Sequence, residues 1–567
     1  MGILIIFLVV DKQKRLTNYA TISRAWQRVI EERTFSHLSF FNNDLDKVKS
    51  VVLESPYTHR RTAVRRVDFS INLPDYDDNA CARFERQADR HINDEAFSKA
   101  MVDLFAALAT IDAGDGSRPI DLHLLHFYSS MDINRRDKEK LRADEMARSI
   151  GKRHDLFELR YRDSYLQLLD PETLPILHNV NLLTIHGDTA RKLAPAITTG
   201  LISRLPNLGT IDCSFWDMER RRPDKRRQLR SEFSKQLTQL VTPKKLRKFN
   251  LNLINREPTN GNFIDGDVRG AFFPPDVDDL SSSLRIFSQS APCLTNLKLS
   301  GPISVSPDLF WPSEETEQGA EQQWRELKVF TVELSAVRPD GGWYTELDPN
   351  RDTESSDEEE EEDEEDGDMD NSSDIVHNVS RSEASSSGYD SSDSFFAMDQ
   401  LPPDSYGYED ERRDARLNGE EPSTSNFCTK PAPELEALFL AAARAASHMP
   451  ALKVMSVSHK IRPSGRTGRN FQQLGFRYMA AGTKYPGDGA EVREVRRLYW
   501  NAHRGWRMSQ ELESQWRLLL GDEGIVKYNE CDEFDAEEEI EDNDEIVEAV
   551  LADEDDIAYG RLAQDAE

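Results

Sequence analysis

A six-residue pattern recurs along this chain and constrains its fold more than any other feature: an apolar residue, two variable ones, an apolar residue, one variable, an apolar residue. It reads Val180-Asn-Leu-Leu183-Thr-Ile185, Leu208-Gly-Thr-Ile211-Asp-Cys213, Leu246-Arg-Lys-Phe249-Asn-Leu251 and Leu294-Thr-Asn-Leu297-Lys-Leu299. It returns as Leu327-Lys-Val-Phe330-Thr-Val332 and Leu452-Lys-Val-Met455-Ser-Val457, and an earlier segment, Val64-Arg-Arg-Val67-Asp-Phe69, fits it too. The last two apolar positions alternate as a strand with one buried face requires, and the first sits in the turn leading in.

Helical stretches precede most copies, among them Ala194 to Leu205, Gln228 to Val241, Leu280 to Gln289 and Glu434 to His448. The copies start 28, 38, 48 and 33 residues apart and then 125; without the 83 residues from 349 to 431 the last gap is 42, so the series resumes as if that stretch were an outgrowth. One strand and one helix per unit, stacked side by side, describe an α/β fold of irregular leucine-rich-repeat-like solenoid type. A non-solenoid α/β domain with a parallel sheet is the alternative.

The net charge of -32 resides in two segments. Residues 352–374 carry 15 Asp/Glu and no Lys or Arg, and residues 530–567 carry 18 acids and only Arg561. The remaining 506 residues balance 70 acids against 70 bases, which disfavours nucleic acid as a partner. The stretch 349–431 joins the acidic run to Ser-rich and polar sequence that cannot bury enough apolar area to offset chain entropy, so it is expected to be disordered. The tail after Glu530 reads the same way, with Ile540, Ile546, Val547, Val550 and Leu551 permitting a transient amphipathic helix. Ser355 and Ser356, each with Glu three residues on, suit acidophilic kinases, as any serine beside such a tract does.

Ile3 to Val10 is an unbroken apolar run of eight residues, far short of the ~20 that span a bilayer. Its cations, Lys12, Lys14 and Arg15, follow the run instead of preceding it, so a buried strand or helix piece is the first reading and a weak signal or anchor the second. No membrane partner is expected. The five cysteines, Cys81, Cys213, Cys293, Cys428 and Cys531, lie far apart and read as reduced, mostly buried thiols of an intracellular protein of cytoplasm or nucleus.

No phosphate-binding, dinucleotide-binding, nucleophile-elbow or zinc-protease motif occurs, and the 12 histidines are scattered. Nothing therefore points to a catalytic residue, a metal, a cofactor or a small-molecule substrate. The basic stretch from Glu219 to Arg230 reads as the solvated start of a helix carrying Leu229, Phe233 and Leu237, with a nuclear import signal or polyanion patch as the functional alternative. Trp506, Trp516 and Leu518 to Leu520 read as the packed end of a terminal unit.

The segment Leu16-Thr-Asn-Tyr-Ala-Thr-Ile-Ser-Arg-Ala-Trp-Gln-Arg-Val-Ile-Glu-Glu-Arg-Thr-Phe35 resembles the second half of an F-box. Further stretches, in order, resemble the large fungal family of F-box proteins with a degenerate leucine-rich-repeat body: Ile71-Asn-Leu-Pro-Asp-Tyr76, Ser306-Pro-Asp-Leu-Phe-Trp-Pro312, Pro339-Asp-Gly-Gly-Trp-Tyr344, Phe476-Arg-Tyr-Met-Ala-Ala-Gly482 and Leu498-Tyr-Trp500. The resemblance implies a helical segment that docks on the Skp-type adaptor of a cullin-RING ubiquitin ligase through Ile22, Trp26, Val29 and Ile30, and a repeat body that holds a substrate protein. The Leu-Pro-bearing first helix of that motif has no counterpart; MGILIIFLVV stands in its place.

The expected organisation is a partial F-box-like helical segment at 1–40, a repeat body at 60–348, a disordered acidic insert at 349–431, further repeat units and a cap at 432–529, and an acidic tail at 530–567. The expected function is a non-catalytic protein-interaction scaffold, a ligase substrate receptor in its narrower form. The alternatives are an acidic nuclear binder or chaperone of basic proteins, held by the two acidic segments, and an orphan repeat scaffold with a decayed F-box.

Overall fold

Every patterned segment is a strand, and the strands lie side by side in chain order. The computed structural model describes residues 22–77, 80, 84–112, 118–132, 160–161, 164–187, 191–218, 220–312, 324–347, 408–420, 427–461, 470–485, 488, 490–502, 506–530 and 534–535. One 13-stranded sheet runs through them. It begins with β1 (His37–Phe41), β2 (Arg66–Leu73) and β3 (Ile120–Ser129), and a short pair, β4 (Tyr165–Leu166) and β6 (Lys192–Leu193), lies apart from it. The sheet continues through β5 (Val180–Ile185), β7 (Thr210–Trp216), β8 (Lys248–Ile254), β9 (Asn296–Ile303), β10 (Val329–Leu334) and β13 (Val454–Ile461). All neighbours as far as β13 are parallel.

The register explains the pattern. The middle apolar residue of each copy opposes the middle residue of the next: Leu183 faces Ile211, then Phe249, Leu297, Phe330 and Met455. The third positions align likewise, Ile185 through Cys213, Leu251, Leu299 and Val332 to Val457. These side chains are 0–1 % exposed, so the repeat is a pair of continuous rows inside the core. Truncating one of them, such as Phe249→Ala, costs about 3–5 kcal/mol through lost burial and the cavity left behind.

Parallel neighbours need a crossover, and helices supply most of them. These are α1 (Arg24–Thr34) before β1, α2 (Thr58–Ala63) and α3 (Gln87–Asp112) around β2, α4 (Ala196–Ile202) before β7, α5 (Pro223–Gln239) before β8 and α6 (Asp279–Ser290) before β9. Their buried faces follow helical spacing, as in Leu229, Phe233 and Leu237 on α5 and Leu280, Leu284 and Phe287 on α6. Asp278 caps α6 by accepting from Ser281 N at 3.0 Å.

The expected outgrowth is closed at its base by β11 (Thr345–Leu347) pairing antiparallel with β12 (Phe427–Pro431), and Phe330 still faces Met455 across it. Disorder throughout 349–431 is corrected in part. Residues 408–420 contain α7 (Tyr408–Leu417), and the following turn docks on the β8–α6 loop, with Thr259 N and Asn260 N donating to Gly419 O at 2.8 and 2.9 Å. Gly419 has φ +74 and lies so close to Phe263 that a Cβ would meet its ring at 2.6 Å, which fixes glycine there. The acidic run 352–374 lies outside the described residues.

Beyond the crossing helix α8 (Pro433–Ser447), the sheet changes character. β14 (Asn470–Met479) pairs antiparallel with β13 and with β15 (Arg497–Ala502), and β16 (Ile525–Glu530) is parallel to β15 after α9 (Gln510–Leu520). Trp516 and Leu520 are buried as expected of a packed end, whereas Leu518 is 75 % exposed. The tail is not wholly separate, because β17 (Phe534–Asp535) pairs with β14; residues 536–567 lie outside the described set. At the other end, the expected boundary at 40 is corrected: α1 leads directly into β1, so the sheet begins at His37. Residues 1–21 are not among those described. Among the described residues no helix is long and apolar enough to cross a membrane.

Candidate interaction surface

Because successive strand residues alternate faces, the residue between the two core rows points to the opposite side. Those residues form a third row in unbroken register: Ser39, Asp68, His123, Thr184, Asp212 and Asn250 across β1 to β8, then Lys298, Thr331, Ser456, Arg477, Tyr499 and Lys527 to β16. At ~4.8 Å between strands the row is roughly 50 Å long. Every member is polar. Tyr499 alone carries a large apolar ring.

The row is open in the middle and closed at its C-terminal end. His123, Asp212, Asn250, Lys298 and Thr331 are half-buried, with Thr184 between them buried at 8 %, whereas Ser456, Arg477 and Tyr499, and Asp68 towards the other end, are buried. Closure comes from residues 480–485 and Asp488, which meet the last strands. Tyr485 packs on Tyr499 with ring centroids 4.9 Å apart and accepts a hydrogen bond at 2.8 Å from Arg477 Nη1. Asp488 is a hub: Tyr499 Oη donates to it at 2.5 Å, Arg497 Nε lies 3.0 Å away, and Lys527 Nζ lies 3.1 Å away. Burial, then the Asp488 carboxylate, raises the Tyr499 phenol and keeps it protonated.

The open part has its own electrostatics. Burial raises the carboxyls of Asp121 and Asp212. His186, Lys298 and a hydrogen bond from Asn250 only partly offset it at Asp212. Burial and the nearby Arg66 lower His123, so it stays neutral near pH 7. At Asp68, burial is outweighed by hydrogen bonds from Arg66 and His37, at 2.7 Å each, which hold it below the usual carboxylate range. From β3 to β7 the surface thus carries carboxylates and imidazoles; from β8 to β9 it carries Lys248 and Lys298. Such a surface can exchange hydrogen bonds and charge with a partner. The Cys213 thiol lies in the core row, pushed up by burial, and is not part of it. Of the thiols expected to be mostly buried, Cys213 is buried and Cys293 is exposed.

The four residues assigned to adaptor docking do not form one surface. Val29 and Ile30 are 8 % and 4 % exposed, packed against the body, while Ile22 is 59 % exposed and Trp26 is half-buried. α1 is tied down by Glu31, which pairs with Arg60 Nη2 at 2.5 Å and His59 Nε2 at 2.7 Å. The Arg60 hydrogen bond, working against burial and helped by Gln27 and His59, holds the Glu31 carboxyl down to about 2.

The basic stretch is not the solvated helix start that the sequence suggests. Arg220, Arg226 and Arg230 are 2–4 % exposed. Arg226 grips Asp217 at 3.0 and 2.9 Å and Asp265 at 3.0 Å; Arg230 reaches Asp217 at 3.0 Å, and Arg220 reaches Asp265 at 3.2 Å. Nearby, Glu257 accepts from Ser335 Oγ at 3.3 Å and Ala336 N at 3.1 Å, joining the β8 and β10 loops. Burial pushes its carboxyl up to about 7 despite Arg220. A small cavity lined by Tyr165, Trp216, Asp217, Arg226, Arg230 and Leu253 adjoins this network. Arg226 and Arg230 stand four apart on the same face as Leu229 and Phe233; that spacing, with Asp217 just upstream, was the available signal for burial.

Among the described residues no group of three or more His, Cys, Asp or Glu side chains could hold a metal ion. No known protein family, curated protein or solved structure matches the chain.

Proposed function

We propose that this chain is a non-catalytic protein-interaction scaffold that holds a partner protein on the open polar face from β3 to β10. The observation that carries the reading is the register-locked polar row, left half-exposed in the middle and covered at its C-terminal end. Its strands follow chain order with helices between them, which supports reading the body as an irregular leucine-rich-repeat-like solenoid. Six strands at ~4.8 Å and six residues at ~3.3 Å make a patch of roughly 500 Å². Stable partners bury about 800 Å² per side, so a partner also engages the flanking loops.

The narrower form is a substrate receptor of a cullin-RING ubiquitin ligase. It rests on the F-box resemblance, with the exposed Ile22 just ahead of α1 and the half-buried Trp26 of α1 as the adaptor-facing residues. Two measurements test these readings. Cross-linking of the full chain to a captured partner should place links on β3–β10, and the double charge reversal Asp212→Lys with Lys298→Glu should weaken capture at least about tenfold. Links confined to 352–374 and 530–567 would replace the scaffold with the acidic binder of basic proteins. Failure of purified Skp-type adaptor to bind removes the ligase form and leaves the scaffold standing.

A further inference from the structure

We propose that the turns leading into β8, β9, β10 and β13 form a basic strip that binds a short acidic segment of a partner protein. None of its cations belongs to the polar row, so the inference stands whether or not the open face binds.

The strip grows out of one position of the repeat. The residue after the leading apolar one is Arg247 before β8, Thr295 before β9, Lys328 before β10 and Lys453 before β13, whereas the two preceding copies carry Asn181 and Gly209 there. Backbone hydrogen bonds hold the four in line: Thr295 N donates to Arg247 O at 2.9 Å, Lys328 N to Thr295 O at 2.8 Å and Lys453 N to Lys328 O at 2.8 Å. The charges are therefore anchored on a rigid backbone before any partner arrives, which lowers the cost of ordering them.

Lys244 and Lys245, in the turn after α5, and Arg325, ahead of β10, enlarge the strip. Across residues 240–247, 291–295, 324–328 and 448–453 there are six Lys or Arg against one acid, Glu326, in a body whose formal charges balance. Lys244, Lys245, Arg247 and Arg325 are exposed, and Lys328 and Lys453 are half-buried.

The spacing fits an extended peptide. With strands ~4.8 Å apart, Arg247 to Lys453 spans ~14 Å, the length of about five residues at ~3.3 Å each. An acidic run of that size sets its carboxylates against the cations, and such complementary charge fixes partner and register. Val241, 86 % exposed and three residues before Lys244, offers an apolar foothold beside the run, which suits a protein segment. Nucleic acid suits the strip less. Phe249, Trp324 and Phe330 are 0–4 % exposed and so withdrawn from base stacking, and the net charge of -32 opposes a long polyanion.

Fluorescence anisotropy of the full chain with a labelled peptide of about six consecutive glutamates tests this. Binding should weaken at least about fivefold as salt rises from about 50 to about 200 mM. The triple reversal Lys244→Glu, Lys245→Glu and Arg247→Glu should weaken it at least about tenfold, and the three glutamine replacements about threefold. Lys99→Glu on α3 should leave it unchanged, and all variants should melt as the parent does. Absence of binding, or equal binding by the triple reversal, would overturn the proposal. Tighter binding of single-stranded DNA of equal charge, or of phosphatidylserine vesicles, lost in the same triple reversal, would overturn it in favour of that ligand. Binding of the peptide only after deletion of 352–374 would overturn it in favour of the chain's own acidic run.

Discussion

Strands β7 and β8 and strand β15 share one sheet but treat its second face in opposite ways. β7 and β8 alternate buried and half-buried residues over their whole length, whereas all six residues of β15 are buried. The difference does not lie in the strands' own polarity, since Arg497, Tyr499 and Asn501 are as polar as Thr210, Asp212 and Ser214. It lies in what answers them. One buried carboxylate, Asp488, meets Arg497, Tyr499 and Lys527 together, and a polar face can be closed when its donors converge on such a group. Asp212 and Lys298 stay half-buried among the described residues, and a face that its own chain leaves half-open remains available to another.

Removing the hub should break the closed end most severely. Asp488→Ala leaves Arg497, 0 % exposed, without its counter-ion, and should lower unfolding free energy by about 3–5 kcal/mol in denaturant titration. If the loss is below about 1 kcal/mol, closure is not electrostatic.

The loops at the C-terminal ends of the central strands offer a second, intermediate test. The carboxyl of Glu257 is raised from its ordinary value of 4.5 to about 7, chiefly by burial. A raised carboxyl makes the folded state bind the proton more tightly than the unfolded state. Its effect on stability is therefore most favourable below about pH 4.5, declines as pH rises to about 7, and is level above. Glu257→Gln should flatten that decline and stabilise the protein at pH 8 by about 1–3 kcal/mol, read from melts across pH. An unchanged pH profile would show that burial does not raise this carboxyl in the folded protein.

The open face should show the smallest effect on folding. Asp212→Ala should change stability by no more than about 0.5 kcal/mol, because Asp212 is only half-buried and burial already disfavours its charged carboxylate. A loss approaching that of Asp488→Ala would mean that the open strands are closed by something else and would remove the basis for binding there.

Much of the core was legible because each strand carries its own copy of the pattern. β3 escaped because Ile120, Leu122 and Leu124 alternate without the leading apolar residue, whose place Pro119 takes, whereas β1 carries the full pattern as Phe35-Ser-His-Leu38-Ser-Phe40 and its signal was available. The candidate surface was illegible for a different reason. Asp212, Asn250 and Lys298 are ordinary surface residues within their own strands, and they become a row only through the register of three strands. The burial of Arg226 was equally non-local, since one of its carboxylates, Asp265, lies 39 residues away.

The pairing of Thr345 with Pro431 has a consequence for the chain's modularity. With both ends of the outgrowth held together by β11 and β12, the sheet registers Phe330 against Met455 whatever the length of chain threaded between them. Loop closure costs only about 0.6 kcal/mol more for each doubling of length. This position is therefore a port: sequence can be lengthened, shortened or exchanged there while the two halves of the sheet keep their alignment.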